Sequence, residues 1–158
     1  MKLETERLIL RDFVKDDWQR VLEYQSKPLY LRYNEWTERT PEAVQDFVGW
    51  FLDHQKQTPR IKFQLAVTLK SNDLLIGNCG IRMNKPEAFQ ADIGYELDPS
   101  YWDQGYATEA ARAIVDFGFS RFGLHRVWSW CVADNAGSAH VLEKLGLRQE
   151  GYLREVGS

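Results

Sequence analysis

The stretch Tyr101-Trp102-Asp103-Gln104-Gly105-Tyr106-Ala107-Thr108-Glu109-Ala110 places a glycine directly before a run of strong helix formers. A helix that begins on Gly105 leaves the backbone N–H groups of its first turn without intrahelical acceptors, and the helix dipole adds partial positive charge there. No Ser, Asp or Asn stands in the cap position to satisfy those donors. Gly105 and Ala107 are small enough for another group to approach the backbone closely, and a phosphate suits both the donors and the dipole. Glycine is also tolerated as an N-cap in an ordinary water-capped helix, so the stretch alone leaves the two readings near even.

Downstream, the segment Asp134-Asn135-Ala136-Gly137-Ser138 opens a second helix pattern that ends near Gly146, with Asn135 as its cap and Ser138 three residues on. Between the two helices Arg126–Ala133 reads as a strand, so both helix starts belong at the same end of a sheet. Upstream, Arg7–Phe13 reads as a strand and Lys15–Gln25 as a short helix. Thr40 caps a longer helix with Pro41 at its first position, and Val44, Phe47, Val48, Phe51 and Leu52 mark one apolar face. Phe63–Lys70 and Leu74–Met83 flank the turn Ser71-Asn72-Asp73 as a hairpin, Ala91–Asp98 adds a third strand, and Arg148–Val156 reads as a last extended piece. The order describes a mixed α/β sheet rather than a doubly wound parallel one.

The chain has 158 residues, 44% hydrophobic and 27% charged, with a formal charge of -3, which describes one domain over residues 1–158 with a sizeable core. That charge is too small to argue for nucleic acid or an anionic membrane, both of which want a clustered basic face. The first residues lack the apolar stretch and cleavage site of a secretory signal, and no apolar run approaches a membrane span; the expectation is a cytoplasmic protein. Cys79 and Cys131, far apart in strand-like segments, read as buried reduced thiols rather than a disulfide or metal site. His54, His125 and His140 pair with no nucleophile in the sequence pattern and read as surface or helix-end residues.

The segments Ile93–Ala110 and Asn135–Gly151 together resemble the GNAT superfamily of acetyl-CoA-dependent N-acetyltransferases. Leu3–Arg11 is similar to the opening of its ribosomal-protein N-terminal acetyltransferase (RimJ/RimL-like) branch. The resemblance covers nearly the whole chain. It implies a mostly antiparallel twisted sheet with flanking helices, in which Asp92–Leu97 splays from its parallel neighbour Arg126–Ala133 and the pantetheine arm of acetyl-CoA lies along Gly94–Leu97 like an added strand. It further implies that the run Trp102–Ala107, extended to Thr108, holds the pyrophosphate: Asp103, Gln104, Gly105, Tyr106, Ala107 and Thr108 are the contacts, with Leu97, Asn135 and Ser138 also touching the cofactor. Trp102 replaces the Gln or Arg of the wider superfamily, as is common in this branch. Asp103 replaces a more usual Gly, and a carboxylate beside a pyrophosphate costs affinity unless it points to solvent.

The reaction asks the protein to position a neutral amine, hold an oxyanion and assist departure of a thiolate, with no covalent enzyme intermediate and no metal. The resemblance places the oxyanion contact on backbone N–H groups near Tyr95 and Glu96. Ser138 is the candidate acid for the thiolate, against an equally weighted role as a first-turn helix Ser. Glu96 is the candidate base, as the best carboxylate on the face shared by Asp92 and Gly94, with a water relay as the other route. Tyr30, Tyr33 and Trp36 are expected to wall the acceptor site, whereas Trp50, Trp128 and Trp130 read as core.

The acceptor is a primary amine, either a protein N-terminus or a small molecule. A non-catalytic acyl-CoA-binding module is the alternative function. A dinucleotide-binding domain is weaker, since no G-x-G-x-x-G opens a first βαβ unit. Relatives continue into a further strand after the segment matching Arg148–Val156, so the expectation here is a missing final strand, answered by a homodimer that covers the edge or by a more open acceptor cleft.

Overall fold

The computed structural model describes residues 1–34, 36–131 and 149–152. Among them seven strands form one sheet in sequential order: β1 Lys2–Glu4, β2 Leu8–Asp12, β3 Lys62–Leu69, β4 Leu75–Arg82, β5 Gln90–Leu97, β6 Arg126–Cys131 and β7 Gln149–Tyr152. The first five are antiparallel neighbours, whereas β5–β6 and β6–β7 are parallel. Four α-helices accompany them: α1 Trp18–Gln25, α2 Pro28–Arg32, α3 Pro41–Gln55 and α4 Tyr106–Phe122. This is the expected mixed sheet.

Local chemistry sets the element ends. The Thr40 side chain accepts from the Ala43 N–H at 3.2 Å, and Pro41 fills the first position of α3. In the β3–β4 hairpin the Asn72 side chain takes the Leu74 N–H at 3.1 Å, and Asp73 adopts a φ of 61° that Asp tolerates. Gly123 in the left-handed region ends α4 and returns its N–H to Phe119 O at 3.1 Å.

Because side chains alternate along a strand, the sheet feeds two cores. Leu65, Val67, Cys79, Ile81 and Ile93 face α4, which buries Ala110, Ala111, Ile114 and Val115 against them. Gly118 allows this approach, since a Cβ there would stand 2.4 Å from Ile81 Cδ1. Ala66 and Leu75 face the opposite way and pack with Phe13, Val21, Tyr24, Tyr30, Val44 and Val48 from α1, α2, α3 and the segment before α1.

Three sequence expectations change. β1 was not foreseen, being three residues whose pairing with β2 is its only signature. Trp50 is not core but 68% exposed, because it lies two positions past Val48 and therefore turns away from the buried stripe of α3. The strand expected over Arg7–Phe13 is shorter, with Phe13 leaving the sheet to enter the α1–α3 core. The helix expected after Asn135, and with it Ser138 and His140, lies outside the described residues, as do the side chains of Trp130 and Cys131.

Candidate active site

β5 delivers the chain to Asp98, a short 3-10 turn follows at Pro99–Tyr101, and α4 starts at Tyr106 with Gly105 as its N-cap. Gly105 has φ 83° and ψ 0°, a left-handed conformation, and no side chain caps the helix. The first intrahelical bond is Glu109 N–H to Gly105 O at 3.0 Å, so the N–H groups of Tyr106, Ala107 and Thr108 lie ahead of it and project from the helix end. Asp103 is also left-handed, at φ 60°. That conformation is the reason a glycine suits position 103 and an aspartate is accepted there. Asp103, Gln104 and Gly105 are all exposed, so the carboxylate is free to point to water.

One basic side chain missed in the sequence borders this turn. Arg7 donates from Nη1 to Gln104 O at 3.1 Å, stacks over the Tyr106 ring at 4.1 Å, and pairs through Nε with Glu109 Oε1 at 2.7 Å. Thr5 and the Arg7 N–H hold the other oxygen of Glu109. Burial alone would raise the Glu109 carboxyl, but these donors and the Arg7 charge hold it below its ordinary value. A Cβ built on Gly105 would come within 4 Å of Arg7 Nη2 alone, at 3.3 Å, leaving the space before the turn otherwise open. A groove of about 590 Å³ between β1 and α4 reaches Gly105 and Thr108 but none of Gly94–Leu97, so it flanks the turn rather than forming the reaction cleft.

The register of β5 with β6 runs from Gln90↔Arg126 to Ile93↔Ser129, whereas β5 stays paired with β4 out to Gly77↔Leu97. The two parallel strands therefore part company at Ile93. The Asp98 N–H bonds Ile76 O at 2.7 Å, so by the two-residue alternation the N–H of Glu96 also faces β4. Those of Tyr95 and Leu97 face the other way. The oxyanion expectation shifts accordingly from Tyr95 and Glu96 to Tyr95 and Leu97.

The Glu96 side chain lies on the α1–α3 side, and three donors converge on it. Tyr24 Oη (2.6 Å) and Gln25 Nε2 (2.8 Å) donate to Oε2, and Tyr30 Oη (2.8 Å) donates to Oε1. Burial raises the Tyr24 and Tyr30 hydroxyls far above the ordinary tyrosine range, with the Glu96 charge adding to it, so both remain donors. A carboxylate offers about four acceptor sites, so Oε1 retains one. Asp92, expected on the same face, is instead committed to Arg82. Beside the cluster Arg39 stacks on Trp36 with its guanidinium carbon 3.7 Å from the ring centroid and donates from Nε to Gln25 Oε1 at 2.9 Å.

The model of the acetyltransferase (GNAT) domain matches residues 7–148. The chain belongs to the GNAT acetyltransferase family. It is 34% identical over 157 residues to the uncharacterized N-acetyltransferase YnaD of Bacillus subtilis, covering 98% of this chain and 87% of that one. A crystal structure of a GNAT-family acetyltransferase from Bacillus anthracis superposes with a TM-score of 0.80 at 32% identity, covering 99% of this chain and 89% of the other. A ribosomal L7/L12 alpha-N-protein acetyltransferase, RimL, solved in complex with coenzyme A, shares the fold alone, with a TM-score of 0.77 at 20% identity over 92% of this chain and 82% of its own.

Membership places the chain among acyl-CoA-dependent acetyltransferases, as the resemblance implied. Of the residues named from the sequence, the GNAT fold brings Leu97, Asp103, Gln104, Gly105, Tyr106, Ala107 and Thr108 to one end of β5 and turns Glu96 toward α1 and α2; Asn135 and Ser138 lie outside the described residues. The aromatic wall needs one correction. Tyr30 is 1% exposed and spends its hydroxyl on Glu96, so it backs the site instead of lining it, while Trp36 stacks on it at 6.1 Å and Tyr33 packs edge-on against Trp102 at 5.7 Å.

The sequence reading also missed Tyr24, Gln25, Arg39 and Asp98. Gln25 follows Val21 at helical spacing, and an amide in a core position was the one available signal. Asp98, 1% exposed, receives Arg20 from α1, Lys27 Nζ at 2.7 Å and the Ser100 N–H at 3.0 Å. Among the described residues no group of three or more His, Cys, Asp or Glu stands close enough to hold a metal ion, and no helix is long and apolar enough to cross a membrane.

Proposed function

We propose that this protein transfers the acetyl group of acetyl-CoA to a primary amine by direct attack within a ternary complex. The observation that carries the reading is the left-handed, side-chain-free helix start at Gly105, set beyond the end of a strand whose pairing with its parallel neighbour stops at Ile93. The open backbone before α4 suits a pyrophosphate, and Arg7 supplies positive charge beside it. The β6-side edge of Gly94–Leu97 suits the pantetheine arm, and the backbone N–H groups of Tyr95 and Leu97 are oriented to receive the thioester oxygen. Acetyl-CoA supplies the activated acyl group. The chain's own part is to hold it, to exclude the wrong geometry and to take the amine proton, which the remaining acceptor site of Glu96 Oε1 can do directly or through one water. Asn135 and Ser138 are proposed as cofactor holder and thiolate acid.

The acceptor class includes protein N-terminal amines, in keeping with the fold shared with the RimL structure, and small-molecule amines. The test is thiol release from acetyl-CoA by the full chain with a panel of peptides, amino acids and polyamines, with the amide product confirmed by mass spectrometry. Amine-dependent release is expected; cofactor binding without any amine-dependent release would sink the reading.

A further inference from the structure

Arg39 lies on the segment between α2 and α3, and its guanidinium is held without an ion pair among the described residues. The Trp36 and Phe47 rings stand 3.7 and 5.7 Å from its central carbon, and Nε donates to Gln25 Oε1 at 2.9 Å. Gln25 is fully buried and uses its Nε2 on Glu96 Oε2 at 2.8 Å. A single amide thus joins a guanidinium to the carboxylate proposed to receive the amine.

The arrangement leaves unspent groups of opposite character on either side of that amide. Neither Nη of Arg39 donates to a described residue, and the fork they form matches a carboxylate bidentately. Glu96 acts on Arg39 through its charge but accepts no hydrogen bond from it, its donors being Tyr24, Gln25 and Tyr30. Stacking on Trp36 and the Nε bond to Gln25 hold the guanidinium in place and engage neither Nη.

We infer that the acceptor is a small amino acid, an amine that also bears a carboxylate, with the amine received at Glu96 Oε1 and the carboxylate at the Arg39 fork. The inference rests on the acetyl-transfer reading and narrows it. A polyamine would set a second cation against Arg39, and a neutral alkylamine would leave the fork without an anion; both are disfavoured on the same ground.

The test uses the full chain with acetyl-CoA and pairs each free L-amino acid with its own carboxamide, alongside spermidine and a neutral peptide. At least one acid should exceed its amide in kcat/KM by about ten- to a hundredfold, chiefly through KM, as one charge-assisted bidentate contact allows. The R39Q variant should bring that ratio close to one, with its folded state checked by thermal melting. Equal use of acid and amide by the native chain, an unchanged ratio in R39Q, or preference for spermidine or the neutral peptide overturns the inference while leaving acetyl transfer intact. If no amine is acetylated, the transfer reading fails, and calorimetric titration of the N-acetylated acids in the presence of coenzyme A decides Arg39 separately. Binding that R39Q abolishes sustains the anion site, and no binding overturns it.

Discussion

Replacing Gly105 probes the turn in two separable ways. At φ 83° an alanine adopts the left-handed region at a cost of roughly 1–2 kcal/mol. Its Cβ would press only on Arg7 Nη2 at 3.3 Å, the far end of a flexible side chain, so packing adds little. For a chain of this size that strain lowers Tm by about 2–8 °C. The same methyl stands before the N–H groups of the first turn of α4, and keeping a pyrophosphate off two such donors costs about 2 kcal/mol, close to thirtyfold in affinity. Gly105→Asn separates the two effects, since asparagine tolerates the left-handed region yet obstructs the turn: it should nearly preserve Tm and still lose the affinity. The assay is calorimetric titration with coenzyme A beside kinetics with S-acetylpantetheine, which has no pyrophosphate. Gly105→Ala and Gly105→Asn should weaken coenzyme A and leave the kcat/KM of the short donor within a few fold. Equal losses for both donors, or unchanged coenzyme A affinity in a folded variant, would refute the phosphate role of this turn.

Three further outcomes are expected. Glu96→Gln should lower kcat/KM by about two to four orders of magnitude and displace its rise toward alkaline pH, since an α-amine with a pKa near 8 is mostly protonated at pH 7; a profile that matches the native one assigns the proton to water. Asp98→Ala should destabilise the fold by about 2–3 kcal/mol, near the lower end for a broken buried pair because Arg20 and Lys27 are 17% and 34% exposed. Burial opposes the Asp98 charge, but Lys27, Arg20 and the Ser100 N–H outweigh it and hold the carboxyl below its ordinary value. Its contribution is therefore present above the unfolded pKa of about 4 and lost as pH falls through the folded one. Urea melts from pH 3 to 7 should show a shallower acid decline in the variant, and parallel curves would contradict the assignment. Cys79 is fully buried, which pushes its thiol up to about 12, so peptide mapping after alkylation of the native protein at pH 8 should find it unmodified and reactive only after unfolding.

The parts legible in the sequence were those written locally. Thr40 and Pro41 announce α3, Ser71–Asp73 announces the hairpin, and Gly105 announces α4, because each acts on its immediate neighbours. Glu96 was found as a carboxylate on one strand face. Its environment was not, because Tyr24, Gln25 and Tyr30 reach it only when α1 and α2 pack across the sheet, more than sixty residues away in sequence. Arg7 meets Gln104 and Glu109 for the same kind of reason, and Arg39 is placed by ring stacking that no spacing rule encodes. The Trp50 error ran the other way: its position lay off the apolar stripe, and the general apolar character of tryptophan was allowed to outweigh the helical angle.

The buried Asp98 carboxylate has a mechanical consequence. Arg20 of α1 and Lys27 at the entrance to α2 both grip it, Lys27 also holds Ser100 Oγ at 2.8 Å, and Asp98 itself stands where β5 turns toward Gly105. The helices that carry Tyr24, Gln25 and Tyr30 and the loop that leads to the start of α4 are thus clamped to one point. If a ligand that settles the loop also settles the helices, thermodynamic reciprocity requires an amine seated among the helices to change the affinity for the cofactor by the same factor. Titrating coenzyme A with and without saturating acceptor measures that factor, and a value of one would mean that the clamp transmits nothing.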